Sequence, residues 1–148
     1  MSCFICDKHR DMDAVPGGVL LADEHMVVSH LPLVTPAGTQ DTVYLGRLLV
    51  EPRRHVEGLE QLTADEGASL GRFAAAAAAA LKSATDAEHV YAALISDLVP
   101  HTHLHVFPRY PGTPAEYRFQ RVDEWAEAPR GDAAAVEDYV DRLRAALD

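Results

Sequence analysis

Three of the eight histidines fall within HTHLHVF at 101–107. In an extended strand, residues i, i+2 and i+4 point to one face. The spacing therefore predicts that His101, His103 and His105 share a face, with neighbours about 6–7 Å apart along the strand. Thr102, Leu104 and Val106 then turn to the core. An imidazole with a pKa near ~6.5 is a good nucleophile at neutral pH. One histidine can attack phosphorus while its neighbour hydrogen-bonds the anionic oxygens. Metal catalysis is the competing chemistry, because His-x-His is common in zinc hydrolases. Those sites need further acidic or histidine ligands at set positions, and neither His-Glu-x-x-His nor His-x-x-Asp-His occurs in the chain. Phosphoryl chemistry accounts for the period better than a catalytic metal does.

The two cysteines, Cys3 and Cys6, form a Cys-x-x-Cys pair. That spacing suits half of a zinc site or a thiol redox pair. A redox pair should open a helix after a strand, and only two residues precede Cys3, so zinc is the favoured reading. Its two missing ligands must be histidines far along the chain.

These residues need elements to hold them. Residues 1–18 read as an arm ending in a turn at Pro16-Gly17-Gly18. Strands are expected at 18–22, 26–31 and 42–52, with a loop holding Pro32, Pro36, Gly38 and Asp41 before the third. Thr63 and Glu66 make a capping box for a long helix over 63–85, whose Leu70, Phe73, Ala77 and Leu81 recur at helical spacing. Strands at 89–97 and 101–108 follow, and then Asp132 caps a last helix with the stripe Val136, Val140, Leu143 and Leu147. The order predicts an α+β fold with a mostly antiparallel five-stranded sheet, one long helix and a C-terminal helix. His9, His25, His30 and His89 read as surface or loop residues, with His9 a possible competitor for zinc.

At 148 residues and 48% apolar content, the chain is expected to form one domain, 1–148, with residues 109–148 as a C-terminal extension. The formal charge of −10 argues against a non-specific nucleic-acid binder, which needs a basic face. A small anion remains compatible, since imidazoles and backbone N–H groups can hold a phosphate locally. No apolar run approaches the ~20 residues that span a bilayer, and MSCFICDKHR lacks the apolar core of a signal peptide. A cytoplasmic location is expected, with no membrane partner.

HTHLHVF resembles the signature of the histidine triad (HIT) superfamily of nucleotide hydrolases and transferases, His-x-His-x-His followed by two apolar residues. A second family element, Gly-x-x-Leu-Val-x-Pro-x-x-His, is matched by GRLLVEPRRH through Gly46, Leu49, Val50, Pro52 and His55. Zinc-carrying members add an N-terminal Cys-x-x-Cys, matched by Cys3 and Cys6. The resemblance implies that His103 is the nucleophile, attacking an α-phosphate to form a nucleotidyl-histidine that water cleaves, and that both His103 and His105 contact the phosphate. It implies structural zinc on Cys3, Cys6, His55 and His101, a small-molecule nucleotide substrate and a homodimer. Phosphoramidates and dinucleoside polyphosphates are the substrate types it suggests.

An upstream asparagine of the family is absent, the loop at 32–41 is longer than the family's link, and the stretch just before the triad departs from the family pattern. Many members carry Gly-Gln-Ser/Thr just before the triad, where this chain reads Ser96-Asp97-Leu98-Val99-Pro100. Leucine takes the usual hydroxyl position. That motivates a second reading, a zinc-stabilised nucleotide-binding protein with little turnover. A third, a hydrolase with catalytic zinc at the triad, lacks the ligand patterns noted above.

Overall fold

The computed structural model describes residues 2–147. Its helices and strands are α1 (Phe4–Arg10), β1 (Val19–Ala22), β2 (Met26–His30), β3 (Val34–Thr35), β4 (Gly38–Thr39), β5 (Val43–Tyr44), β6 (Leu48–Pro52), α2 (Ala64–Ala84), β7 (His89–Leu94), β8 (Leu104–Arg109), β9 (Arg130–Gly131) and α3 (Ala133–Leu147). Five strands form one sheet in the order β1-β2-β6-β8-β7, with every neighbouring pair antiparallel. The α+β architecture expected from the sequence is present.

Register divides the sheet into two faces. In β8, Val106 lies opposite Leu48 and Ala92, while His105 lies opposite Leu49 and Ala93. Met26, Val28, Leu48, Val50 and Val106 join Leu70, Ala77, Ala80 and Leu81 of α2 in the core. Fully burying each large apolar side chain contributes about 1.5–3 kcal/mol. The alternate residues, His105 among them, face the other side. α2 starts where its sequence says: the Thr63 side chain accepts from the Glu66 N–H, and Glu66 bonds back to the Thr63 N–H. α3 packs on α2 and β1 through Val136, Tyr139, Val140 and Leu143. Asp132 Oδ1 accepts from the Ala135 N–H at 3.0 Å, as expected of a cap.

Four sequence expectations need correction. The strand expected over 42–52 is two strands, because Gly46 sits at φ +97° and turns the chain between them. A Cβ at Gly46 would lie 2.5 Å from Tyr139 Oη and 2.7 Å from Pro108 Cγ, so only glycine fits. β5 leaves the main sheet and pairs with β9. The strand expected to reach residue 97 stops at Leu94, and Ser96, at φ 58°, turns the chain. The loop at 32–41 holds the small β3–β4 hairpin, and the N-terminal arm holds α1. Among the described residues, no helix is long and apolar enough to cross a membrane.

Candidate active site

β8 begins at Leu104, so the three triad histidines do not share one strand face. His103 and His105 do stand together, with ring centroids 5.1 Å apart. His101 precedes the strand and turns its fully buried ring away, toward the N-terminal arm. The expected grouping of three imidazoles holds for two of them.

Each ring is fixed by its surroundings. His103 donates from Nδ1 to the His101 carbonyl at 2.7 Å. A carbonyl only accepts, so Nδ1 carries the proton and Nε2 keeps its lone pair. The His103 backbone N–H donates to Ser96 Oγ at 3.3 Å, which ties the loop before the triad to this residue. Leu98 is 93% exposed, so a side chain at the family's hydroxyl position projects into solvent. His105 is mostly buried beside the Arg47 guanidinium, whose Nη1 lies 3.2 Å from His105 Nδ1. Burial, then the charge of Arg47, then His103, push the His105 pKa down to about 4.

His101 joins a second cluster. Its Nδ1 lies 3.5 Å from both Cys3 Sγ and Cys6 Sγ, and His55 Nδ1 lies 3.6 Å from Cys6 Sγ. The four ligand atoms all fall within 4.8 Å of one another. Tetrahedral zinc, with bonds of about 2.0–2.3 Å, spaces its ligand atoms roughly 3.4–3.8 Å apart. The three separations of 3.5 to 3.6 Å therefore fit a Cys2His2 zinc site. The second shell fits as well: His101 Nε2 donates to the Pro52 carbonyl at 2.8 Å, which turns Nδ1 toward the sulfurs. Burial and the neighbouring Cys3 push the Cys6 thiol up, so a cation must displace its proton.

α1 sets the two cysteines, with Cys3 as its N-cap. It also carries a buried ion cluster that sequence reasoning missed. Lys8 Nζ lies 2.7 Å from Glu51 Oε1, and His9 Nε2 lies 2.8 Å from Glu51 Oε2, with Glu51 fully buried. Burial pushes the Glu51 carboxyl up, but the His9 hydrogen bond and the Lys8 charge outweigh it and hold it below its usual range. His9 is thus engaged by Glu51 and is no zinc competitor. His30, expected at the surface, is fully buried: Nδ1 donates to the Leu31 carbonyl at 3.0 Å, and Nε2 accepts the Gly46 N–H at 2.9 Å. Arg47 was also missed. Its signal lay in period two, since Arg47, Leu49 and Glu51 alternate with the core residues Leu48 and Val50.

A narrow cleft of about 70 Å³ runs between His103, His105, Lys8, Glu51, Pro32, Thr35 and Pro36. Phe4, Pro36 and Val99 also line a wider hollow of about 890 Å³ that extends to Leu98 and the cysteines. Together these give an anion-sized slot with room beside it for a larger group.

The sequence profile of the HIT domain family matches residues 22–112. The fold is similar to that of a Zn-bound histidine triad family protein from Mycobacterium smegmatis, with a TM-score of 0.69 and 23% identity over 99% of this chain and 94% of that one. A histidine triad nucleotide-binding protein from Sulfolobus tokodaii gives a TM-score of 0.70 and 18% identity over 98% and 91%. A histidine triad protein from Bradyrhizobium japonicum gives 0.64 and 21% over 88% and 90%. No curated protein matches the chain. The match spans the cleft strands and the whole triad, and the chain belongs to the HIT domain family.

Proposed function

We propose that the protein is a nucleotide hydrolase or transferase that acts on the α-phosphate of a nucleoside phosphate ester, anhydride or phosphoramidate through a covalent nucleotidyl-histidine on His103. The observation that carries this reading is the 2.7 Å hydrogen bond from His103 Nδ1 to the His101 carbonyl, which leaves Nε2 as a lone-pair nucleophile. Nε2 forms a bond to phosphorus as the bond from phosphorus to the leaving group breaks. The His101 carbonyl stabilises the positive charge that the imidazole gains. Water then attacks the same phosphorus, the N–P bond breaks, and nucleotide is released with the imidazole restored. His103 meets the phosphate at phosphorus through Nε2, His105 holds the phosphate oxygens, and the hollow beside them suits the nucleoside.

Zinc on Cys3, Cys6, His55 and His101 supplies structure in this reading. All four ligands come from the chain, which makes the site closed. The substrate is then a small nucleotide, and the acting form is a homodimer.

A screen of adenosine and guanosine phosphoramidates and dinucleoside polyphosphates tests the activity. At least one substrate should turn over, and His103→Ala should lower its rate about a thousandfold or more. Undiminished turnover by that variant overturns the mechanism. The exposed Leu98 favours a second reading, nucleotide binding with little turnover. A nucleotide adduct trapped on His103 and seen by mass spectrometry excludes it.

A further inference from the structure

The reaction proposed above asks opposite things of two neighbouring imidazoles. His103 must keep a lone pair on Nε2, whereas a phosphate contact needs an N–H. We propose that Arg47 is a positioning residue that fixes His105 in the tautomer with its proton on Nε2, as a neutral donor to the phosphate. This inference rests on the roles given to His103 and His105 in the proposed function.

The argument starts from what a guanidinium can do. It has five N–H donors and no acceptor. Arg47 Nη1 lies 3.2 Å from His105 Nδ1, so this contact is a hydrogen bond only when Nδ1 is the lone pair. The proton of a neutral His105 then sits on Nε2, the nitrogen that Arg47 does not occupy. A second proton, on Nδ1, would point at a cation and lose the bond.

Arg47 is itself held firmly. It is buried, its guanidinium carbon lies 4.2 Å over the centre of the Phe107 ring, and its backbone carbonyl accepts the Leu31 N–H at 2.8 Å. Phe107 stands two residues beyond His105 and packs under Tyr91 and Phe119. The flat guanidinium is thus set by a flat ring, which a lysine ammonium cannot reproduce. Asp123, from the segment after β8, acts on Arg47 through space.

The other groups facing His105 do not undo this. Glu51 from β6 favours a charged His105, while His103, just before β8, and Lys8 from α1 oppose it. Glu51 is already committed to Lys8 and His9. From β7 the residue opposite is Ala93, which does not titrate. Burial and Arg47 outweigh Glu51, so His105 stays neutral, with its donor in place, well into the acid range.

Nitrogen-15 NMR of the imidazoles in the zinc-loaded full chain reads the tautomer without any turnover. Wild-type His105 should show a bare Nδ1 and a protonated Nε2 at neutral pH, and should not titrate above pH ~5. In Arg47→Met the tautomer should become mixed and the titration should rise by one unit or more. Arg47→Lys should give an intermediate shift. In both variants kcat should fall about tenfold to a hundredfold with little change in KM, as for a lost transition-state donor. A wild-type His105 protonated on Nδ1 overturns the proposal, whatever the variants do. So does an unchanged tautomer and titration in whichever variant folds. If wild type turns over no nucleotide but the NMR result holds, the proposed function fails and the positioning role stands. Turnover by wild type with unmoved NMR in the variants gives the reverse.

Discussion

The triad histidines differ because different groups hold their second ring nitrogen. His101 gives its ring to the cysteine cluster and its carbonyl to His103. His103 is bonded through Nδ1 to that carbonyl, and His105 through Nδ1 to Arg47. The identities of all three were legible, since period two and the family signature both single them out. Their partners were not, because a backbone carbonyl carries no side-chain signal and an arginine ahead of another strand leaves no mark near 101–105. His30 shows the same limit: its burial depends on Gly46 and Leu31 closing around it. Two of these histidines carry a pH prediction. Burial holds His30 at about 4, and burial with Arg47 holds His105 at about 4. The unfolded chain takes up protons there below ~6.5, while the folded protein does not until about 4. The unfolded state therefore binds more protons in that window, and stability falls as pH drops through it. The loss is on the order of 3 kcal/mol per histidine by pH ~4. Denaturant midpoints should decline steadily from pH 7 to 4.5, measured with and without zinc because the cysteine cluster acts in the same direction. A flat profile contradicts the assignment.

Among elements, α1 was the least legible and is among the most consequential. A helix of seven residues has almost no stability of its own, so no propensity or period reveals it. It forms because two long-range clusters grip it: the cysteines against His55 and His101, and Lys8 with His9 against Glu51. The longer α2 needed no such help, and its capping box and apolar spacing were readable directly. The strand over 42–52 was misread for a definite reason. Its apolar run is continuous, and the only sign of a break is Gly46, which a strand pattern tolerates as a bulge. Through α1 the zinc proposal gains a structural consequence, because the same helix forms one wall of the cleft through Phe4, Ile5 and Lys8. Freshly purified protein should hold one zinc per chain. Cys3→Ser should lose it and melt at least ~5 °C lower, since structural metal binding is folding free energy. Metal-free wild type, or full zinc occupancy in Cys3→Ser, rejects the site.

At the scale of the whole molecule, the fold class followed from element order, while the charge of −10 gave no hint of a buried cation at the cleft. Buried Lys8 of α1 lines it, and buried Arg47 stands beside its His105. The opposite side of the sheet carries α2, whose alanine tract is only half used by the core: Ala77 and Ala80 are buried, and Ala75 and Ala79 are exposed. β7 is an edge strand beside it. Small exposed residues next to an open edge suit close approach of a second copy. Light scattering should give twice the chain mass of 16.1 kDa, and a paired Ala75→Arg, Ala79→Arg substitution should halve it. A monomeric wild type at micromolar concentration ends that proposal. The cysteine cluster has one more consequence, which concerns the order of synthesis. Its members leave the ribosome as Cys3, Cys6, His55 and finally His101, and chains fold broadly from the N-terminus as they emerge. Both thiols therefore wait, open to oxidation, until the triad segment has been made. Closure of the cluster marks the arrival of the segment that leads into β8, and a product truncated before His101 is left with two unprotected sulfurs.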